Sequence, residues 1–168
     1  IDHIDDLNRR IGELDKLVQE YMAEYEAAIE AIDEIPGIAR RSAEVILAEI
    51  GLDMGRFPSA AHLCSWAGVC PGNYQSAGRR KHGKTTKGNK ALKTILTQCA
   101  KSAKTVKSSY FFAQYQRISA RRGKNRATLA VAHSMLIAIY HILENKTAFH
   151  DLGSDYYDFF NRDRKINS

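Results

Sequence analysis

One stretch of the chain sets a hydroxyl among cations: Gln75-Ser76-Ala77-Gly78-Arg79-Arg80-Lys81. A serine held against a phosphodiester can attack phosphorus through its oxygen while guanidinium and ammonium groups offset charge on the non-bridging oxygens. The resulting phosphoserine ester keeps the bond energy, so a strand could be rejoined elsewhere without ATP. His82 is close enough in sequence to be considered as the base. Composition alone gives a plainer reading, a turn residue in a Gly-rich basic loop.

Other chemistries are less well served. A two-metal nuclease needs carboxylates to hold its ions, and residues 54–143 contain neither Asp nor Glu. Cys64 and Cys70, with His62 and His82 nearby, fit no common zinc spacing. With Cys99 they read better as buried thiols acting as small hydrophobes. His133 and His141 fall on an apolar helical stretch and read as packed or solvated. No glycine loop of the nucleotide-binding type is present.

The charge distribution points to a partner. Residues 1–53 hold 14 acidic and 5 basic side chains, net −9; residues 54–143 hold 16 basic and no acidic ones, net +16. Residues 144–168 hold 5 acidic and 4 basic, net −1, and the whole chain carries +6. A solvated surface mixes both signs, so ninety residues without a carboxylate read as a field built for a polyanion. Nucleic acid fits best, with affinity that falls as salt rises.

The elements that must position the loop read as helices. Ile4, Leu7, Ile11, Leu14, Val18, Tyr21, Tyr25, Ala28 and Ile32 step alternately by three and four. That spacing predicts an uninterrupted helix over 1–34 with one narrow apolar seam. Its partner is a second copy of the chain or another part of the same chain, and homodimerisation is the expectation carried forward. Asp2, Asp5 and Asp6 suit the positive end of the helix, and Pro36 ends it.

A Pro36-Gly37 turn and a second helix to Gly51 make residues 31–51 resemble a helix-hairpin-helix, which offers backbone N–H groups to phosphate. Ala39 stands where a second glycine is usual, and Arg40 and Arg41 would compensate by direct contact. A simple helical corner explains the same residues. Ser59 is expected to cap a short helix closed by Gly68. Residues 68–88 are the one long irregular stretch, and loops of that length are functional or disordered. Helices follow at about 89–107, 109–122 and 126–145, the last central to the core.

The fold class expected is therefore all-α, with no strand pattern of any length. A coiled-coil arm (1–34) precedes a helical domain (35–150) and a C-terminal tail (151–168), which is either a docking segment or a partner-binding arm. A chain of 168 residues that is 44% hydrophobic can bury a core of that size. No apolar run is read as approaching the roughly 20 residues of a membrane span, and three cysteines suit a reducing compartment. The expected location is cytoplasmic and nucleoid-associated. Ile1 stands without an initiator Met, so a piece of something longer is also expected.

Several spaced motifs then carry a resemblance. Ile35-Pro36-Gly37-Ile38, Ala48-Glu49-Ile50-Gly51, Arg56-Phe57-Pro58-Ser59, Trp66-Ala67-Gly68-Val69-Cys70-Pro71, Gln75-Ser76-Ala77-Gly78 and Lys87-Gly88-Asn89 occur in this order. Together they resemble the C-terminal transposase domain of the IS110 family of insertion-sequence transposases, from about residue 35 to 145, with a coiled coil before it. The resemblance implies serine-recombinase chemistry with Ser76 as the covalent nucleophile, and direction by a bridge RNA. It also implies a resolvase-like domain, absent from this sequence, whose carboxylates and Mg²⁺ complete a composite site.

The family's Ser-Gly is Ser76-Ala77-Gly78 here, which keeps Ser65, Ser59 and Ser42 as rivals. The expected nucleic-acid surface is Gly37, Arg40, Arg41, Gln75, Gly78, Arg79, Arg80, Lys81, Lys84, Lys87, Asn89, Lys90 and Lys93. No cofactor is expected in this chain itself, and the expected partners are DNA, a guide RNA and a second copy through 1–34, without a membrane. The rivals from other classes are a non-enzymatic dimeric module that bridges nucleic acid and an adaptor that only holds the RNA.

Overall fold

The most apolar stretch of the sequence becomes the centre of the bundle. In the computed structural model, which describes residues 2–70, 75–76, 79–80, 85 and 87–158, helix α7 (Lys124–Asn145) packs against α4 (Ala60–Ala67), α5 (Lys90–Ala103) and α6 (Tyr110–Arg122). Ala127, Val131, Ala132, Met135, Leu136 and Ile139 of α7 are fully buried. By length and composition α7 is long and apolar enough to cross a membrane, contrary to the expectation from apolar runs. Its apolar face is instead covered by the neighbouring helices.

Helices α6 and α7 are joined by Gly123 alone, whose φ of +84° lets one residue reverse the chain. Helices α2 (Glu26–Asp33) and α3 (Arg40–Ile50) form the other half of the core and pack on α7 and α5 respectively. Ile29, Ile32, Ile35, Ile46, Leu47 and Ile50 are fully buried between them.

The N-terminal helix departs from the expected uninterrupted seam. Helix α1 (Asp2–Tyr21) ends in a tight turn at Ala23–Tyr25, and α2 resumes at Glu26. The turn forms because Met22 and Tyr25 pack against the domain core, which rotates the apolar face of the chain. Below the break, Ile32 is fully buried in its own chain. Above it, Ile4 (64% exposed), Leu14 (62%) and Tyr21 (80%) face solvent. A heptad pattern thus serves two different surfaces.

Smaller differences have local causes. Helix α5 stops at Ala103 rather than near 107, because Val106 N–H turns back to the Ala103 carbonyl and Ser109 then caps α6 through Phe112 N–H. Ser59 occupies the cap position of α4, but its hydroxyl pairs with His62 Nδ1 at 2.9 Å instead of a backbone N–H. Strands β1 (Gln75–Ser76) and β2 (Arg79–Arg80) pair antiparallel, too short to carry a sequence pattern. The all-α class stands.

The described part of the tail is a docking segment. Asp151 accepts the Tyr110 N–H at 2.8 Å and so caps α6, and Ser154 N–H bonds the Ser108 carbonyl. Tyr156 and Tyr157 pack on Tyr110, and Phe149 stacks on Phe111. Burial and the Tyr157 hydroxyl push the Tyr110 phenol above its usual range.

Candidate nucleic-acid interface

The serine loop is held at both feet by backbone contact. Gly68 closes α4 in the left-handed conformation (φ +73°), which the N-terminal foot needs to leave the helix. Gly88, with φ +46°, lies so close to it that a Cβ there would sit 2.3 Å from Gly68 N. Asn89 N–H then bonds the Trp66 carbonyl at 3.0 Å. The Asn89 side chain accepts from Leu92 N–H (2.9 Å), capping α5, and donates to Glu49 Oε2 on α3 (2.7 Å). Lys93 Nζ donates to the Thr85 hydroxyl at 2.6 Å, tying α5 to the loop.

Within the loop, the strand register sets Ser76 opposite Arg79 and Gln75 opposite Arg80. The nucleophile candidate and two of its expected cations are therefore backbone neighbours in one ladder. Ala77, Gly78, Lys81, His82 and Lys84 lie outside the described residues, as do the side chains of Gln75, Ser76, Arg79 and Arg80.

Of the remaining expected contacts, Lys87 and Lys90 are exposed and Lys93 half-buried. Among the described residues none of the three is at ion-pair distance from a carboxylate. Asn89 caps α5 and holds Glu49, which anchors the loop. Asn89→Ala should lose about 1–3 kcal/mol, the worth of a cap plus a charge-assisted hydrogen bond, read as a lower denaturation midpoint.

The turn before α3 engages its expected contact residues within the chain. Gly37 (φ +91°) packs face-on against α5, where a Cβ would stand 2.5 Å from Ala103 N. Arg40 is bidentate to Glu26, at 2.6 and 2.7 Å, and also meets Glu44. The hydrogen-bonded guanidinium holds the Glu26 carboxyl below its usual range. Arg41 meets Glu44 at 3.3 Å and Asp15 of α1 at 3.5 Å. These arginines tie α1 and α2 to α3, and a phosphate would have to displace carboxylates to reach them. The acidic N-terminal third supplies partners that a reading of 37–41 alone did not weigh.

The rival serines differ in setting. Ser59 has an imidazole partner in His62, but among the described residues no carboxylate orients that ring. Ser42 lies on α3 and Ser65 within α4. The thiols are free, and burial pushes Cys64 up to about 12, far from a reactive thiolate.

Burial lowers the His133 pKa below 6.5. Protonation then favours the unfolded chain, so this contribution is complete above about pH 6.5 and is lost as pH falls through the lower folded value. The expected result is that His133→Gln flattens the acid side of the stability profile below about pH 6.5 in thermal melts.

No group of three or more His, Cys, Asp or Glu able to hold a metal is present among the described residues. The donor set therefore does not fit a Mg²⁺ site within these residues.

Sequence reasoning held Gly88 and Glu49 only as parts of motifs and missed that, with Thr85, they fix the loop's far foot. The signal available was the pair of glycines, Gly68 and Gly88, that bracket the irregular stretch.

Residues 29–116 match the Transposase IS116/IS110/IS902 family. The chain is 30% identical over 125 residues to the insertion element IS110 uncharacterized 43.6 kDa protein of Streptomyces coelicolor, a match covering 70% of this chain. It spans 29% of that protein's length. The matched family region runs from α2 into α6 and contains the whole serine loop, and the chain belongs to the IS116/IS110/IS902 family of transposases.

Proposed function

We propose that this chain is the C-terminal part of a DNA transposase that cuts and rejoins strands through a phosphoserine bond on Ser76. The Ser76 oxygen bonds to phosphorus as the P–O bond to one deoxyribose oxygen breaks, and the hydroxyl proton ends on that departing alcohol. Attack by another strand's hydroxyl reverses the step, releasing serine and reforming a phosphodiester. Arg79, Arg80 and Lys81 would offset charge at the phosphate, and Lys84, Lys87, Lys90 and Lys93 would extend the track. Arg40, Arg41 and Gly37 are left out of it, since carboxylates and Ala103 occupy them.

The observation that carries this reading is a serine paired in register with Arg79, in a loop whose two feet are clamped by backbone packing. Carboxylates and Mg²⁺ would come from a resolvase-like domain outside this chain, and a bridge RNA would direct the site. The exposed stripe of α1, Ile4 to Tyr21, would pair two copies, because strand exchange between two duplexes needs two serines. The setting would be chromosomal DNA in the cytoplasm.

A non-enzymatic bridging module is the second reading, favoured by the scarcity of acids around the loop. The test is a covalent trap on the full-length protein with Mg²⁺, RNA from its own locus and labelled DNA, followed by digestion and mass spectrometry. A nucleotide adduct on Ser76 is the expected result. An adduct on Ser59 would move the site, and DNA cleavage with no adduct would leave this chain a clamp.

A further inference from the structure

A second group of cations without carboxylate partners among the described residues lies at the same end of the bundle as the feet of the serine loop. Tyr140 Oη meets the Phe57 carbonyl at 3.3 Å and Cys64 Sγ meets the His133 carbonyl at 3.8 Å, so α4 runs antiparallel to α7. The end of α4 and the start of α7 therefore face one way. The Asn89–Trp66 backbone bond brings the start of α5 to that end too. From His133 back to Lys124, α7 rises about 13 Å further in that direction.

There Arg121, Arg122 and Lys124 stand exposed around Gly123. Among the described residues, none of the three is at ion-pair distance from a carboxylate. Arg40 and Arg41 show the contrast, each held by acids of the N-terminal region. Lys124 also sits in the first turn of α7, where a helix disfavours cations, so its placement does not serve the fold.

We infer that the α6–α7 corner, through Arg121, Arg122 and Lys124, holds the phosphate backbone of duplex DNA beside the serine loop. This rests on the proposed action of the chain on DNA. The corner, Arg121-Arg122-Gly123-Lys124-Asn125-Arg126, contains no aromatic ring on which an unpaired base could stack. Its cations suit contact with a duplex whose bases remain paired, fixing orientation without reading sequence.

The test uses the full-length protein with Arg121→Gln, Arg122→Gln and Lys124→Gln combined, against a triple control at the opposite end, Lys101→Gln, Lys104→Gln and Lys107→Gln. Binding to a blunt DNA duplex and to an RNA hairpin is measured across salt, with circular dichroism to verify the fold. For the corner variant, the slope of log affinity against log salt on duplex DNA should become shallower by about 2 to 3. The control should change it by less. Equal losses from both triples would reduce the corner to general charge and overturn the assignment. So would an unchanged slope, or a loss confined to the RNA hairpin. The Ser76 adduct is scored separately, so the corner can fail while the serine chemistry stands, or the reverse.

Discussion

Ser76→Ala in the full-length protein should remove the covalent protein–DNA product and lower strand exchange by on the order of 10⁴-fold or more, while leaving DNA affinity within a few-fold. The asymmetry follows from what the hydroxyl does. A nucleophile contributes only where a bond is forming, whereas affinity is carried by cations along the track. Ser59→Ala is the informative companion. Its hydroxyl lies 2.9 Å from His62 Nδ1, the hydroxyl–imidazole pairing that nucleophilic serines use. In this chain that pair sits exposed at the first turn of α4, and the Ser59 side chain makes no cap bond to the helix backbone. Ser59→Ala should therefore cost about 0.5 kcal/mol of stability and leave the adduct in place. Loss of the adduct in Ser59→Ala with retention in Ser76→Ala would transfer the chemistry to α4.

Gly88→Ala is expected to have the largest structural effect of any single methyl group added to the loop's feet. Its Cβ would stand 2.3 Å from Gly68 N, 2.4 Å from Gly68 Cα and 2.5 Å from the Ala67 carbonyl carbon. All three are backbone atoms, so no flexible side chain can swing aside. The positive φ of 46° adds about 1 kcal/mol of strain for an L-residue. A total loss of about 3 kcal/mol or more is expected, or a fall of about 6–12 °C in Tm for a chain of this size. Gly123→Ala separates the two causes. Its φ is +84°, yet a Cβ there meets nothing within 4 Å. With ψ at 162° its backbone lies in a region essentially reserved for glycine, so it should lose only the conformational part, about 1–3 kcal/mol. Equal effects at the two glycines would show that the Gly68–Gly88 contact does not hold the loop.

Much of the helical scaffold was legible because its signals are local. The apolar run of residues 127–142 and the Gly51 and Gly68 stops each act within a turn or two of chain. Helix α1 illustrates the limit. Spacing alone carried the heptad straight through residues 22–25, since every position still fits a helical seam. The break exists because Met22 and Tyr25 are drawn onto a core formed mainly by residues far along the chain.

The candidate site divides along the same line. The sequence by itself determined that one segment lacks carboxylates, that a serine stands beside arginines, and that several ordered motifs belong together. Composition and order survive any folding. Only the tertiary structure decided which cations are available. Arg40 and Arg41 are matched with Glu26, Glu44 and Asp15, whereas Arg121, Arg122 and Lys124 are left without such partners among the described residues. It likewise decided that Gly37 and Gly88 serve close backbone packing and that Asn89 anchors the loop to Glu49. The physical reason is that a charge or a missing Cβ has no fixed meaning until its neighbours are in place, and those neighbours lie tens of residues away in the chain.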